Sequence, residues 1–389
     1  MIASAVRCLA MTWKWWWRGV LLASFVVVTM TVPHRWGRQN ARGYIDGHDA
    51  PRALAEGVAG WIEADLDEGR FSTGSERFDG EWLFGTHVMA ALGFGQLAVT
   101  DREHGPEHQA RMDRALVALR SPRQRQFDRA AWHRDALDAL ETPRGHAAFL
   151  GYYGLALALR RRLGTSEHDE LAAAMASALS TRFSASETGL VETYPGEIYP
   201  VDNAAGIAAV ALHAEAIGQA RPAIVDAWLA RLPRWRDPAS GLLVQAVAAD
   251  GATPIDAARG SGTALAAYFL SFVDRDVSRS LYEALQRSCY DLVLGFGAMR
   301  EYAPGVAGRG DIDSGPLVFG YGISATGFAI GSARVHGDHE RFEALYATAH
   351  LFGAPVTLRG RISFLTGGPL GDAILLAMLT AIPAEESAS

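Results

Sequence analysis

The feature that most constrains the fold is an alternation between two kinds of helical segment. Apolar residues recur with the spacing of one helix face in about twelve stretches. These stretches span residues 52–68, 82–99, 107–119, 144–163, 167–183, 202–217, 222–235, 261–273, 276–294, 316–335, 338–352 and 369–381. Alternate stretches, beginning near Trp82, His146, Asp202, Gly262, Gly315 and Gly368, are rich in Gly, Ala and Ser. The others carry Arg, Glu and Asp on one face. We therefore predict small-residue helices in a crowded inner ring and charged amphipathic helices outside it.

A loop containing Gly, Pro and acidic residues precedes each small-residue helix. These loops recur about every fifty to sixty residues, as expected for about six helical hairpins in a closed or stacked array. If the ring closes, the six loops meet at one mouth. The sequence thus predicts an all-α (α/α)6 barrel with its site at the N-terminal ends of the inner helices, which supply a positive potential. One hairpin is expected between residues 241 and 255, where Asp250-Gly251 separates two short apolar runs.

The loop at residues 192–203 is the richest of these segments in polar groups. It contains three carboxylates, two tyrosines and an asparagine: Glu192, Glu197, Asp202, Tyr194, Tyr199 and Asn203. Burying such a loop at the start of an apolar helix is costly without a functional reason, so we interpret it as the wall of an active site. The alternative is a solvated connection in which Asp202 is an ordinary N-cap.

Three further residues are candidates for acid/base chemistry. Asp311 and Asp313 are two positions apart in a Gly-flanked loop, so an extended backbone would point both side chains the same way. Paired carboxylates can separate their pKa values and divide the duties of acid and base, but capping of the next helix is an equal alternative. His146 stands at the head of an inner helix, where it is either an acid/base or a core histidine.

Aromatic residues near the predicted mouth could line a substrate pocket, although core packing is the alternative for each one. We expect Tyr194, Tyr199, Tyr268 and Trp82, with Asn203, to contact a small-molecule substrate. The chain contains no phosphate-binding loop, no nucleotide fingerprint, no nucleophile elbow and no cluster with zinc spacing. We therefore expect cofactor-free chemistry with no metal.

Bulk properties limit the class of protein. The 389 residues are 49% hydrophobic, enough for one large domain, which we place at residues 41–389. A formal charge of -7 argues against a nucleic-acid partner. Cys8 and Cys289 are unsuited to an intramolecular disulfide, and Cys289 is expected to be a buried apolar residue.

Residues 1–40 differ in kind from the rest. Lys14 and Arg18 flank a tryptophan cluster, and the uncharged run from residue 19 to residue 32 follows. The run is shorter than the roughly twenty residues that a helix needs to cross a bilayer. The tryptophans extend it if the side chains of the two cations reach out to the membrane surface. A cleaved signal peptide is the rival, without a clear cleavage pattern. We expect a membrane-anchoring helix with the barrel outside the cytoplasm.

Three segments of the chain resemble the linalool dehydratase/isomerase family. They are Gly145–Leu155, Gly189–Glu192 leading to Asp202-Asn203, and Gly310–Gly315. The resemblance implies an (α/α)6 barrel, cofactor-free hydration, dehydration or isomerisation of an alcohol, and a homo-oligomer. It places the family's helix-start histidine at His146 and its two active-site cysteines near Glu192 and Asp202. Carboxylic acids therefore stand here in place of the family's two thiols.

Three functions from different classes are open at this point, and the resemblance leads us to expect the first, with the second as the alternative. The first is a membrane-anchored lyase or isomerase that uses Glu192, Asp202 and His146 on an alcohol, which predicts an apolar pocket. The second is a glycosidase that uses a carboxylate pair in an open, aromatic-lined groove. The third is a non-catalytic binding protein whose carboxylates lie far apart.

Overall fold

The structure, a computed structural model, describes residues 31–383 and, before them, residues 17, 18, 20, 21, 24 and 28. Fourteen α-helices dominate this part of the chain. They are α1 (31–45), α2 (Asp49–Glu63), α3 (Glu76–Thr100), α4 (Gly105–Leu119), α5 (Gln126–Trp132), α6 (Ala147–Arg162), α7 (Asp169–Ala185), α8 (Pro200–Ala216), α9 (Ala223–Arg231), α10 (Gly260–Leu270), α11 (Arg275–Ser288), α12 (Ile323–Val335), α13 (His339–Gly353) and α14 (Gly368–Leu379).

Six of these helices form a closed inner ring. In order they are α3, α6, α8, α10, α12 and α14; each packs against the next, and α14 packs against α3. Small residues make the ring compact. A Cβ added to Gly151 of α6 would lie 2.8 Å from the backbone nitrogen of Gly206 in α8, so the two helix backbones are in direct contact. The ring confirms the predicted helical barrel.

A second layer surrounds the ring. Helix α2 packs on α14, α4 on α3, α7 on α6, α9 on α8, α11 on α10 and α13 on α12. One continuous apolar core joins the two layers. Since each outer helix returns the chain to the start of the next inner helix, the inner N-termini gather at one end, which we call the mouth.

Three short β-hairpins at the mouth end correct the all-α prediction. Strand β1 (Tyr290–Val293) pairs with β2 (Phe296–Met299), β3 (Leu317–Val318) with β4 (Tyr321–Gly322), and β5 (Pro355–Leu358) with β6 (Arg361–Phe364). Each turn has two residues at positive φ: Leu294-Gly295, Phe319-Gly320 and Arg359-Gly360. Such two-residue turns match the twist of paired strands.

These hairpins also change two predicted helix boundaries. Helix α11 ends at Ser288 rather than residue 294, and α12 begins at Ile323 rather than residue 316, because β1 and the β3–β4 hairpin occupy the residues between. The hairpin expected at residues 241–255 consists of isolated bridges, Val247 with Pro254 and Val244 with Ala258, rather than strands.

The expected anchor, residues 1–40, lies largely outside the described residues. Helix α1 continues across the expected boundary at residue 40 and packs on the barrel. Among the residues that the structure describes, only α3 is long and apolar enough to cross a membrane, but 83% of its most apolar window is buried. Helix α3 is therefore explained by its place in the core.

Candidate active site

Three carboxylates from different elements meet at the mouth. Glu81 lies in the second turn of α3, Asp202 in the first turn of α8, and Asp313 in the loop before β3. They are close enough for the charges of Asp202 and Asp313 to raise the pKa of Glu81. The structure thus brings two sequence-predicted acids together with one that sequence reasoning missed.

Asp202 is the most buried of the three, with 8% of its surface exposed. Its Oδ1 accepts a hydrogen bond from the Tyr152 hydroxyl at 2.9 Å, and its Oδ2 accepts one from Thr193 Oγ1 at 2.6 Å. Burial raises the pKa of Asp202 to about 6, and the two hydrogen bonds oppose this rise because they favour the ionised form. Asp202 is therefore a carboxylate at neutral pH, held in one orientation.

Glu81 keeps its proton to a higher pH than an ordinary carboxylic acid. Burial raises its pKa, and repulsion from Asp313 and Asp202 adds to the rise. Tyr194 donates a hydrogen bond from its hydroxyl to Glu81 Oε2 at 3.0 Å, which acts in the opposite direction. Glu81 is the strongest candidate for a proton donor in the mouth.

The third carboxylate, Asp313, is fixed by its neighbour Asp311. Asp311 accepts a 2.5 Å hydrogen bond from Arg259 Nη1, and the backbone nitrogens of Asp313 and Ser314 donate to it at 3.1 Å. The Asp313 side chain retains solvent access on the open mouth, yet surrounding protein and the charge of Asp311 raise its pKa. Asp311 therefore positions Asp313 and balances the charge of Arg259.

The loop at residues 192–203 forms a polar, aromatic wall beside Glu81. The Arg77 guanidinium lies 3.5 Å from the centroid of the Tyr194 ring, and its Nη2 lies 3.1 Å from Glu197 Oε2. Tyr199 donates from its hydroxyl to the same oxygen at 2.8 Å. Tyr194 and Tyr199 thus lie at the mouth, where each donates a hydrogen bond to a carboxylate; their contact with a substrate stays a prediction.

His146 and Glu192 do not join the carboxylate cluster through any contact among the described residues. His146 is buried, with its Nδ1 2.7 Å from Asp128 Oδ2 and its ring 4.8 Å from that of Trp132. The Glu192 carboxylate accepts from the backbone nitrogen of Gly196 in its own loop at 3.2 Å. The structure therefore gives both residues local partners, and their predicted catalytic roles have no geometric support.

Three predicted substrate contacts are better explained by packing. Asn203 is fully buried and bonds with its side chain to the backbone of Val191 and Tyr199, so it clamps the loop to α8. Tyr268 is buried inside the barrel, where it donates to Gln96 Oε1 at 3.1 Å. Trp82 packs edge-on against Phe71 in a small apolar cluster.

A fourth titratable group, Glu301, lies behind the mouth. It is fully buried, and Ser261 Oγ donates to its Oε1 at 2.5 Å. Burial raises the pKa of Glu301 to about 7. Sequence reasoning missed it because residue 301 follows a strand that was assigned to a connection.

The chemistry available at the mouth is proton transfer. Within the part of the chain that the structure describes, no group of three or more His, Cys, Asp or Glu side chains has the geometry to hold a metal ion. Cys289 is buried, as predicted, and burial raises the pKa of its thiol to about 12. Glu81, whose pKa is raised, lies near the carboxylates Asp202 and Asp313 at the mouth.

No family model and no curated protein matches this chain. Two solved structures are similar to it at a TM-score of 0.44. One is a GH76 alpha-mannanase from Bacteroides thetaiotaomicron, 9% identical, with 76% of this chain and 84% of that chain covered. The other is Dfg5 from Chaetomium thermophilum in complex with glucosamine, 14% identical, with 79% and 80% covered. These likenesses are remote, so the barrel assignment rests on the closed ring of helix contacts.

Proposed function

We propose that the protein is a cofactor-independent glycoside hydrolase that cleaves a glycan in the barrel mouth. The observation that carries this proposal is the meeting of Glu81, an acid whose pKa is raised, with Asp202 and Asp313. Hydrolysis of a glycosidic bond requires a carboxylic acid to protonate the leaving oxygen and a second carboxylate on the opposite side of the sugar.

Each carboxylate has a role that follows from its surroundings. Glu81 donates its proton to the glycosidic oxygen as the bond to the anomeric carbon breaks. Asp313, which retains access to water, takes a proton from the water molecule that attacks this carbon. Asp202, held ionised by Tyr152 and Thr193, stabilises the positive charge that develops on the sugar ring. The anomeric configuration of the first product distinguishes direct attack by water from attack by a carboxylate.

The mouth wall suits a sugar better than a hydrocarbon. Arg77, Glu197 and the hydroxyls of Tyr194 and Tyr199 offer donors and acceptors for sugar hydroxyls, and the tyrosine rings offer apolar faces. The charge on this wall also argues against the apolar pocket expected for an enzyme of the linalool dehydratase/isomerase type.

Acid/base dehydration or isomerisation of an alcohol remains the second candidate. It is favoured by the same observation, since a protonated Glu81 beside an ionised carboxylate could protonate a hydroxyl leaving group and remove a proton from a neighbouring carbon. Product analysis separates the two functions, because glycan cleavage yields a new reducing end whereas dehydration yields an alkene. The homo-oligomer and the location outside the cytoplasm stay predictions.

The test is a panel of neutral oligosaccharides and a panel of alcohols, assayed with wild-type protein and matched variants. Once an activity is found, Glu81→Gln and Asp313→Asn should each lower kcat by about a hundredfold or more. Glu167→Gln, an exposed carboxylate on the loop between α6 and α7, is the control and should change nothing. If Glu81→Gln retains full activity on every substrate cleaved, the assignment of the acid is wrong.

A further inference from the structure

The direction of α1 shows which end of the barrel the N-terminal segment approaches. Helix α1 runs antiparallel to α13: Arg42 Nε lies 3.0 Å from Glu343 Oε1 near one end, and the rings of Trp36 and His350 lie 4.9 Å apart near the other. Helix α13 ends at the mouth, since its C-terminus leads through the β5–β6 hairpin to the start of the inner helix α14. Residue 31 of α1 therefore lies toward the mouth end, and the helix runs away from the mouth toward residue 45. The residues described before it, 17, 18, 20, 21, 24 and 28, are also helical.

The sequence before residue 31 is therefore joined to α1 at its mouth end. That sequence contains most of the uncharged run from residue 19 to residue 32, preceded by Trp13 and Trp15–Trp17 with Lys14 and Arg18 among them. Uncharged apolar runs flanked by tryptophans and cations favour the interface of a lipid bilayer. The composition of this segment places a bilayer on the mouth side of the barrel.

The three hairpin turns at the same end expose large apolar side chains. Leu294 is 61% exposed, Phe319 91% and Leu358 68%, and each lies in or beside a hairpin turn. We call these three residues the rim tips. The β1–β2 turn also touches α1, because Arg38 Nε donates to the Gly295 carbonyl at 3.3 Å. The rim is therefore continuous with the helix that leads to the N-terminal segment.

Further apolar and cationic side chains surround the rim tips. The exposed apolar residues nearby in the same hairpins and helix ends are Leu292, Val293, Val318, Ile323, Leu351, Phe352, Val356 and Leu365. Arg35, Arg359 and Arg361 are exposed among them. Apolar side chains that enter the acyl boundary, together with cations that attract anionic headgroups, are the composition of a surface that binds membranes.

We propose that the rim tips dock the mouth of the barrel against a lipid bilayer that contains anionic lipids, with α1 leading into the same bilayer. The surface is assigned from the direction of α1, the chemistry of the segment before it and the clustered apolar turns. It stands independently of which bond the site cleaves.

The test places an environment-sensitive fluorophore at single cysteines in the full chain, reconstituted in vesicles of phosphatidylcholine and phosphatidylglycerol. The labelled positions are Leu294→Cys, Phe319→Cys and Leu358→Cys, in a Cys8→Ser background because Cys289 is buried. The controls are Ile217→Cys and Gln219→Cys after α8 at the far end, both at exposed positions.

We expect labels at the rim tips to be quenched several-fold less by aqueous iodide than the control labels, and more by a nitroxide carried on lipid. Equal iodide quenching at rim tips and controls would overturn the proposal. Hydrogen exchange of the unsubstituted chain provides a second readout, free of labels. The amides of residues 292–296 and 317–321 should exchange more slowly in vesicles than in detergent without bilayers, and unchanged exchange would also overturn it.

Discussion

The contact between α6 and α8 leads to a quantitative prediction about the barrel. Gly151→Ala adds a Cβ that would lie 2.8 Å from the backbone nitrogen of Gly206 and 3.1 Å from the carbonyl oxygen of Asp202. These are backbone atoms of a packed helix, so the two helices must separate. Overpacking of this kind costs about 3 kcal/mol. The greater helix propensity of Ala returns about 1 kcal/mol, which leaves a net loss of about 2 kcal/mol.

Gly327→Ala is the matched control, because Gly327 lies in the inner helix α12 and nothing is within 4 Å of its added Cβ. This substitution should stabilise the protein by about 0.5–1 kcal/mol. Both variants can be compared with wild type by denaturant unfolding followed by far-UV circular dichroism. If Gly151→Ala unfolds at the same denaturant concentration as Gly327→Ala, the argument that α6 and α8 are too close to admit a Cβ at residue 151 is refuted.

Three further predictions concern single side chains around the mouth. Tyr194→Phe removes the hydrogen bond that favours ionised Glu81, so the pKa of Glu81 should rise. The alkaline limb of the pH–activity profile should then move to higher pH by on the order of one unit. An unchanged alkaline limb would exclude Glu81 as the acid. Glu301 has a folded-state pKa of about 7, above its unfolded value, so the stability that it contributes is present at low pH and lost as pH rises through about 7. Glu301→Gln should therefore stabilise the protein by on the order of 3 kcal/mol more at pH 8 than at pH 4, measured by unfolding at both pH values, and an equal effect at both would contradict the raised pKa. Asn203→Leu leaves the buried backbone of Val191 without partners and should cost about 3 kcal/mol in thermal or denaturant unfolding, whereas a change in KM alone would restore Asn203 as a substrate contact.

The ring of helices could be predicted from the sequence because the signal repeats. Each inner helix carries small residues and each outer helix a charged face, so errors at single boundaries do not change the architecture. The hairpins were missed for a local reason. The apolar residues Tyr290, Leu292 and Val293 continue the pattern of α11, and short segments of this kind do not distinguish a helix from a strand.

The candidate site was predictable only in part, because loops are visible in the sequence whereas distances between them are not. Asp202 and Asp313 stand in loops that the pattern marks as part of the mouth. Glu81 belongs to the loop predicted at residues 77–82, which forms the start of α3 in the structure, and nothing in the sequence distinguished it there from Asp79. The partner of His146 could not be found by spacing, since Asp128 comes from the short helix α5 in a long connection.

The packing of α14 against α3 has a consequence for how the chain folds. Gln96 in α3 donates from Nε2 to the carbonyl of Ala377 in α14 at 2.8 Å, across a separation of 281 residues. The contact between α3 and α14 joins helices that are far apart in the sequence, whereas the other inner helices pack on neighbours that follow them directly. Earlier helical hairpins can therefore assemble one after another, but the ring cannot close until α14 has been synthesised. A nascent chain that lacks α14 would expose the apolar flank of α3, which makes ring closure the stage at which aggregation competes most strongly with folding.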